Sequence, residues 1–250
     1  MSSVPPAPLS GRIALVTGAS RGIGRATALA LAGAGAHVVA VARTVGALEE
    51  LDDAIRARGG SATLVPLDVC DGTGLAGLAQ AIGERWGRLD VLVGNAALLG
   101  PSSPLEHITP RDWDQVMKVN VTANWQLICV TDALLRRADA GRAVFVTSGA
   151  VHNIHAYLGL YTASKAALEA LARTWAAETA NTAVRVNLFN PGPTRTRMRA
   201  QLMPGEDPLT LPTPEEVAVE IVALCLPACA DTGGFYDFPS HRLMAFRRPG

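Results

Sequence analysis

Short apolar runs rich in β-branched residues alternate with longer helical patterns along almost the whole chain. The runs are RIALVTG, AHVVAVA, ATLVPLDV, LDVLVGNA, RAVFVTSG, VRVNLFNPG and, more weakly, GGFYDF. Helical periodicity predicts helices over about residues 23–34, 46–58, 73–86, 111–138, 161–180 and 214–226. Strands that alternate with helices form βαβ units. The pattern therefore predicts an α/β fold, a doubly wound, mostly parallel, Rossmann-like sheet of about seven strands with helices on both faces.

The length of the chain suits one such sheet. An α/β chain of 250 residues is commonly one domain. A hydrophobic fraction of 49% with 18% charged residues excludes a disordered chain. The opening MSSVPPAPLS is rich in proline. We therefore predict a flexible N-terminal arm over residues 1–10 and a single domain over residues 11–250.

Charge and cysteine usage favour small-molecule chemistry inside the cell. The 22 basic and 22 acidic residues cancel, so no overall field attracts nucleic acid or a membrane surface. The N-terminus lacks a basic segment followed by an apolar stretch, which predicts neither a secretory signal nor a membrane anchor. The four cysteines, Cys70, Cys129, Cys225 and Cys229, lack metal-ligand spacing. We predict reduced thiols, no metal site and a cytoplasmic protein.

A glycine-rich loop follows the first predicted strand. In TGASRGIG, Gly18, Gly22 and Gly24 stand between that strand and the first helix. Glycines here permit a tight turn and let the backbone approach a pyrophosphate, which is stabilised by the helix N-terminus. The loop predicts a dinucleotide site at the carboxyl edge of the sheet.

The end of the second strand bears on the choice of cofactor. A carboxylate commonly binds the adenosine ribose 2′-hydroxyl at this point. Here Ala42 and Arg43 stand there instead, and Arg21 lies in the glycine loop. Two guanidiniums suit a 2′-phosphate, which favours NADP(H) over NAD(H). The alternative is that Arg43 is simply solvated.

The segment YTASK places Tyr161 and Lys165 four residues apart at the start of a helical pattern. Residues i and i+4 lie on one helix face, and a nearby positive charge favours a phenolate. The pair can therefore act as an acid/base, although packing and a solvated lysine would also explain it. Ser148 ends the fifth run, and Asn120 interrupts a long helical pattern, where an amide is a mediocre helix former. Each of these also has an ordinary structural explanation.

Taken together, these motifs resemble the short-chain dehydrogenase/reductase family in its short single-domain form. The resemblance covers residues 11 to 238. It is carried by TGASRGIG, Asp68 in PLDV, GNAA after the fourth strand, Asn120, Ser148, YTASK and NPGPTRT. It implies a dinucleotide-binding oxidoreductase that interconverts a carbonyl and a secondary alcohol.

The resemblance also implies a role for each site residue. Tyr161 would donate the proton, and Lys165 would bind the nicotinamide ribose and lower the pKa of Tyr161. Ser148 would hold the substrate oxygen, and Asn120 would order a water that links Lys165 to solvent. Asp68 would contact the adenine, Asn95 the adenosine end, and Thr194 and Thr196 the carboxamide and pyrophosphate. The expected cofactor contacts are Gly18, Ser20, Arg21, Gly22, Ile23, Gly24, Arg43, Asp68, Val69, Asn95, Tyr161, Lys165, Pro191, Gly192, Thr194 and Thr196.

Several features depart from the family or leave alternatives open. Gly94 stands where the family often has a further asparagine, and the C-terminus lacks the usual Asp-Gly-Gly. A catalytically silent dinucleotide-binding regulatory or scaffold protein is the alternative function. Met198, Leu202 and Met203 are predicted to line the pocket, which favours an apolar substrate without identifying it. In the resembling family the helices that correspond to 111–138 and 161–180 pair across a two-fold axis, so the resemblance implies a homodimer or homotetramer.

Overall fold

The computed structural model describes residues 7–246, which form a single eight-stranded sheet covered by helices on both faces. The strands are β1 (Ile13–Thr17), β2 (His37–Ala42), β3 (Ser61–Pro66), β4 (Val91–Gly94), β5 (Arg142–Val146), β6 (Arg185–Asn190), β7 (Gly234–Asp237) and β8 (Arg242–Ala245). Their order is β3-β2-β1-β4-β5-β6-β7-β8. All neighbours are parallel except β7 and β8. The predicted fold class is confirmed.

The eighth strand was not predicted. β8 is a short edge strand with one half-buried residue among exposed ones, so it has no apolar run to mark it. It pairs antiparallel with β7 from Gly234 opposite Ala245 to Asp237 opposite Arg242.

The helices alternate with the strands. They are α1 (Gly22–Gly33), α2 (Val45–Arg56), α3 (Gly72–Trp86), α4 (Pro110–Met117), α5 (Ala123–Arg136), α6 (Gly159–Glu178), α7 (Arg197–Leu202) and α8 (Pro214–Cys225). The helix predicted over 111–138 is divided by a π-helical turn at Lys118–Thr122 that carries Asn120. Such turns are rare and often mark functional sites.

Two apolar clusters, one on each face of the sheet, form the core. The first includes Val16 of β1 with Leu51 of α2 and Ile221 of α8. The second includes Leu15 of β1 and Trp175 of α6. Neighbouring strand residues point to opposite faces, so the central strands β1, β2, β4, β5 and β6 contribute to both clusters, whereas the outer strands β3 and β8 are partly exposed.

The N-terminal arm was predicted over residues 1–10, of which residues 1–6 lie outside the described part. Leu9 is fully buried, and its N–H donates to Ala34 O at 2.9 Å. The packed fold therefore begins before Gly11.

Within residues 7–246, all four cysteines are free thiols. No helix in this range is long and apolar enough to cross a membrane. The same range contains no group of three His, Cys, Asp or Glu side chains that could hold a metal ion.

Candidate active site

The glycine loop lies between β1 and α1, as its spacing predicts. Gly18 and Gly22 have φ values of 67° and 54°, in the left-handed region that favours glycine. A Cβ at Gly24 would overlap the carbonyl oxygen of Gly18. The helix N-cap is Arg21, whose exposed side chain makes no capping hydrogen bond to the described residues. The first N–H groups of α1 thus have no side-chain cap from Arg21, and such uncapped helix N-termini bind anions.

Asn95 ties this loop to the end of β4. Its Nδ2 donates to Thr17 O at 2.9 Å, and its backbone N–H donates to Thr17 Oγ1 at 3.0 Å. The preceding position departs from the family because the ring of Phe145 fills the space: a Cβ at Gly94 would overlap Phe145 and lie 2.7 Å from Asn124 Oδ1. A side chain at 94 is therefore excluded by packing.

Arg43 and Asp68 lie close together beyond β2 and β3. The Arg43 guanidinium is 3.9 Å from Asp68 Oδ2, and the two side chains are 66% and 47% exposed. Asp68 Oδ1 also accepts from Cys70 N at 2.9 Å. Val69, next in the chain, is buried in the core. Arg43 is therefore accessible to a ligand, although the Asp68 carboxylate already attracts its guanidinium.

Ser148 and Tyr161 line one cavity of about 410 Å³ at the carboxyl edge. Ser148 is the N-cap of a 3₁₀ turn, and its Oγ accepts from Ala150 N at 3.2 Å. Predicted residues that line the same cavity are Ile23, Pro191, Gly192, Thr194, Thr196, Met198 and Leu202. Met203 was also predicted to line it but is 46% exposed instead.

The pKa of Tyr161 differs from the expectation. Burial raises the pKa of Tyr161 to about 12, and its hydrogen bond with Ser148 lowers it. Burial is the largest cause of this shift, and the Lys165 ammonium lies 5.8 Å from the centre of the Tyr161 ring. In the protein alone, Tyr161 is thus a neutral phenol at neutral pH.

Lys165 is held beside the site on the same face of α6. It is 2% exposed, and its Nζ donates to Val146 O at 2.7 Å. An ammonium has three N–H groups, and this is the single hydrogen bond that Nζ makes to residues 7–246. Burial lowers the pKa of Lys165 to about 8, while Glu169 raises it. Lys165 therefore retains donors for a bound hydroxyl.

Asn120 is fully buried and bonded on every side. Its Nδ2 donates to Leu98 O at 2.8 Å and to Ser164 Oγ at 2.9 Å, and its Oδ1 accepts from Leu98 N at 2.8 Å. The backbone carbonyl oxygen of Asn120 accepts from Asn124 Nδ2 at 2.8 Å. Both amide N–H groups are used within the protein, so oxygen lone pairs are all that Asn120 can offer to the predicted water.

Thr194 and Thr196 lie in the loop after β6. Thr194 is buried, and its Oγ1 donates to Pro191 O at 3.1 Å. Thr196 caps α7, with its Oγ1 accepting from Arg199 N at 3.2 Å. A Cβ at Gly22 would lie 3.5 Å from Thr196 Cγ2, which places this loop against the glycine loop.

Asn190 was missed by sequence reasoning. Its Oδ1 accepts from Gly149 N at 2.8 Å and from Gly192 N at 3.1 Å, and its Nδ2 donates to Asp237 Oδ1 at 2.7 Å. It thus ties the loops after β5 and β6 to the last residue of β7. An amide at the end of a buried strand, in FNPG, was the signal available.

The donors that remain fit a dinucleotide. The uncapped start of α1 can bind a pyrophosphate, and Lys165 has N–H groups free for ribose hydroxyls. Arg21 is exposed in the glycine loop, and Arg43 is exposed just after the end of β2.

Comparison with known proteins agrees with this geometry. The sequence profile of the short chain dehydrogenase family matches residues 12–207. The chain is 39% identical to the oxidoreductase YciK of Escherichia coli K12, which is described as uncharacterized, over 84% of each protein.

Two solved structures share the fold. A short chain dehydrogenase of Shigella flexneri 2a, complexed with NADP, has 37% identity and a TM-score of 0.89, and the match covers 93% of this chain and 98% of that one. A short chain dehydrogenase of Escherichia coli CFT073, complexed with NADPH, has 36% identity and a TM-score of 0.87, over 94% and 99% of the chains.

Proposed function

The chain belongs to the short-chain dehydrogenase/reductase family, and on that premise we propose that it is an NADP(H)-dependent oxidoreductase that interconverts a carbonyl and a secondary alcohol, with Tyr161 as the general acid/base. The observation that carries the proposal is the cavity shared by Tyr161 and Ser148, with Lys165 buried beside it. The family membership itself makes the chain an NAD(P)-dependent dehydrogenase or reductase that acts on small molecules.

The residues of the site have complementary tasks in this proposal. When bound, the nicotinamide ring supplies or accepts the hydride. The hydroxyls of Ser148 and Tyr161 donate hydrogen bonds to the carbonyl oxygen, where negative charge develops. Tyr161 then transfers its proton to that oxygen. A pKa of about 12 keeps this proton on Tyr161 at neutral pH, which suits the direction of reduction.

Two features support a role for Lys165 in binding the cofactor. Its ammonium is charged below a pKa of about 8, and its unused N–H groups can donate to the hydroxyls of the nicotinamide ribose. The same positive charge lies on the helix face that carries Tyr161, where it stabilises a developing phenolate. Asn120 supports this arrangement because its side-chain amide donates a hydrogen bond to Ser164, the residue next to Lys165.

The preference for NADP(H) is supported by charge at the adenosine end. Arg43 follows Ala42 at the end of β2 and is 66% exposed, and Arg21 is exposed in the glycine loop. The guanidinium geometry suits a 2′-phosphate, whereas the ribose 2′-hydroxyl of NAD(H) is commonly bound by a carboxylate. Asp68 contacts the adenine in this proposal, and its 3.9 Å approach to Arg43 would hold that guanidinium at the site.

An apolar substrate is supported by the walls of the cavity and its surroundings. Leu99, Leu158, Met198 and Leu202 line the cavity beside the polar side chains of Asn153 and His155. Large apolar side chains next to these lining residues are exposed: Ile154 is 75%, Tyr157 is 59% and Met203 is 46% exposed. Apolar surface at the edge of a pocket favours a ligand that extends beyond it.

We also propose a homodimer formed through α5 and α6. On α5 the exposed side includes Trp125, which is 50% exposed, and Cys129. The exposed side of α6 carries small residues, Ala163, Ala166, Ala170 and Ala177, which allow close approach. A tetramer is a second possibility. Light scattering tests the proposal, and a mass near the 26.1 kDa of one chain would contradict it.

A single domain in the cytoplasm completes the proposal. All eight strands belong to one sheet, and the free cysteines suit a reducing compartment. Limited proteolysis should yield one resistant fragment that begins before Gly11, and cell fractionation should recover the protein with cytoplasmic markers. Two resistant fragments, or recovery in another fraction, would contradict these two statements respectively.

The experiment that tests the activity is a screen of carbonyl compounds and secondary alcohols that follows the absorbance of NADPH and NADH. We expect oxidation of NADPH with an apolar carbonyl compound, faster than oxidation of NADH. Tight binding of either nucleotide without turnover of any compound would favour a catalytically silent binding protein instead. Absence of nucleotide binding would contradict both.

A further inference from the structure

Glu169 is a buried carboxylate that the mechanism above does not use. It lies one helical turn after Lys165 on α6, and the two residues are 4% and 2% exposed. Residues i and i+4 share one face of a helix. Burial of a charged group is unfavourable unless the charge is bonded or compensated. The position of Glu169 beside a buried ammonium therefore requires a physical reason.

Two side chains near the active site hold the Glu169 carboxylate. Thr147 Oγ1 donates to Oε1 at 2.7 Å, and Thr147 directly precedes Ser148. His152 Nε2 is 3.3 Å from Oε2, and the His152 side chain is 43% exposed. The His152 ring packs edge-on against Phe235 of β7 at 4.7 Å between centroids. The carboxylate is thus held by two residues of the segment after β5, one of which, Thr147, also lines the substrate cavity.

The charged groups that act on Glu169 come from two elements. Lys165 and Arg173 lie on its own helix, and His152 comes from the turn after β5. Burial raises the pKa of Glu169, while Thr147, His152 and Arg173 lower it. Burial also lowers the pKa of Lys165, and Glu169 is the group that raises it. Glu169 thus opposes the effect of burial on Lys165.

We propose that Glu169 is a positioning residue whose negative charge keeps the buried Lys165 ammonium protonated, with Thr147 and His152 holding that charge in place. The inference rests on the proposed function, in which Lys165 binds the nicotinamide ribose. A purely structural tie between α6 and the loop after β5 is the competing explanation. The two differ in pH dependence, because a structural tie has no effect on the titration of Lys165.

The test is the affinity for NADPH between about pH 6 and about pH 10, measured through quenching of tryptophan fluorescence. In the wild-type protein the affinity should fall as Lys165 loses its proton, with a midpoint near its pKa of about 8. Glu169→Gln keeps the shape and the oxygen that accepts from Thr147 but removes the charge. Its midpoint should lie lower by about 1 pH unit, with the affinity at the acidic end unchanged.

Two further variants complete the design. Glu178→Gln removes an exposed carboxylate from the same helix and should leave the midpoint unchanged. His152→Leu keeps the packing on Phe235 but removes the partner of Oε2, so it should lower the midpoint by a smaller amount. This variant also provides the test if Glu169→Gln does not fold, because His152 is partly exposed.

The outcomes separate the two proposals. Wild-type protein that binds NADPH, with the same midpoint in the Glu169 and His152 variants, would overturn the role of Glu169 and leave the proposed function standing. Weaker affinity at every pH with no change in midpoint would assign Glu169 to structure alone. Wild-type protein that does not bind NADPH would overturn both.

Discussion

Buried charges at the two edges of the sheet are bonded differently. At the amino edge, Asp90 is fully buried and accepts from Arg12 at 3.0 Å, from Arg88 at 3.1 Å and from Ile13 N at 2.9 Å. Arg142, nearby at the start of β5, donates to the carbonyl groups of Leu226, Gly141, Ala183 and Pro227. These charges are satisfied within the fold.

At the carboxyl edge, Lys165 is equally buried but donates to one carbonyl of the described chain, Val146 O. Tyr161 beside it has its pKa raised by burial to about 12. The fold therefore holds a charge there at a cost to its own stability. We infer that charges at the amino edge stabilise the sheet and those at the carboxyl edge are retained for binding and proton transfer.

The largest effect is expected at Tyr161. Tyr161→Phe removes the ionisable oxygen and should lower kcat by about 10²–10⁴-fold, the usual contribution of such a group, with little change in NADPH affinity. Steady-state kinetics measure kcat, and a binding titration measures the NADPH affinity. The control is Tyr236→Phe on β7, which removes a hydroxyl that donates to Glu220 of α8 and should retain kcat. Retention of more than about a tenth of kcat in Tyr161→Phe would exclude Tyr161 as the acid.

At the amino edge, Asp90→Asn should act on stability alone. The amide keeps the shape but leaves Arg12 and Arg88 without their shared carboxylate, so the free energy of unfolding should fall by about 2 kcal/mol, the usual contribution of a hydrogen bond to a charged group. Denaturant titration measures the loss, and NADPH affinity of the folded protein should not change. Asp53→Asn, at an exposed position of α2, should be neutral. A change in NADPH affinity in Asp90→Asn would contradict the division between the edges.

Lys165→Met should have the opposite effect on stability. Burial lowers the pKa of Lys165 from 10.5 to about 8, so the folded protein disfavours the charged form. Each pKa unit corresponds to about 1.4 kcal/mol, and the lost bond to Val146 O offsets about 1 kcal/mol, which leaves a gain of about 2 kcal/mol at neutral pH. Because the unfolded chain binds more protons between the two pKa values, wild-type stability rises with pH there. The advantage of Lys165→Met should therefore shrink as pH rises from about 8 toward 10.5.

A smaller effect is expected at Arg43. Arg43→Ala removes an exposed guanidinium and should weaken NADPH binding by about tenfold, because a charge-assisted contact contributes about 1.5–3 kcal/mol before solvent screening. NADH affinity should be unchanged, since it lacks the 2′-phosphate. Arg58→Ala, an exposed arginine beyond the end of α2, is the control. Equal or tighter binding of NADH by the wild-type protein would contradict the NADP(H) preference.

Local pattern predicted the strands and helices well because each is marked by its own periodicity. The seven predicted strands are all present, and Tyr161 and Lys165 share a helix face as their spacing requires. The π-helical turn at Lys118–Thr122, which divides the helix predicted over 111–138, could not be predicted because such a turn has no apolar periodicity of its own. The edge strand β8 was missed for the same lack of a pattern.

Long-range contacts set the parts of the site that sequence could not predict. Glu169 meets Thr147 across 22 positions, and Asn190 meets Gly149 across 41. The pKa of Tyr161 depends on burial by the surrounding fold, which the spacing to Lys165 alone does not reveal. Motif order predicts the site residues, and tertiary packing determines their burial and hydrogen bonds.

The most direct test of the difference between the edges measures two quantities, the free energy of unfolding and the NADPH affinity, in Lys165→Met and Asp90→Asn side by side at neutral pH. We predict that Lys165→Met becomes more stable and loses NADPH affinity, while Asp90→Asn becomes less stable and keeps it. A loss of stability in Lys165→Met together with unchanged NADPH affinity would show that Lys165 is structural and would contradict the account.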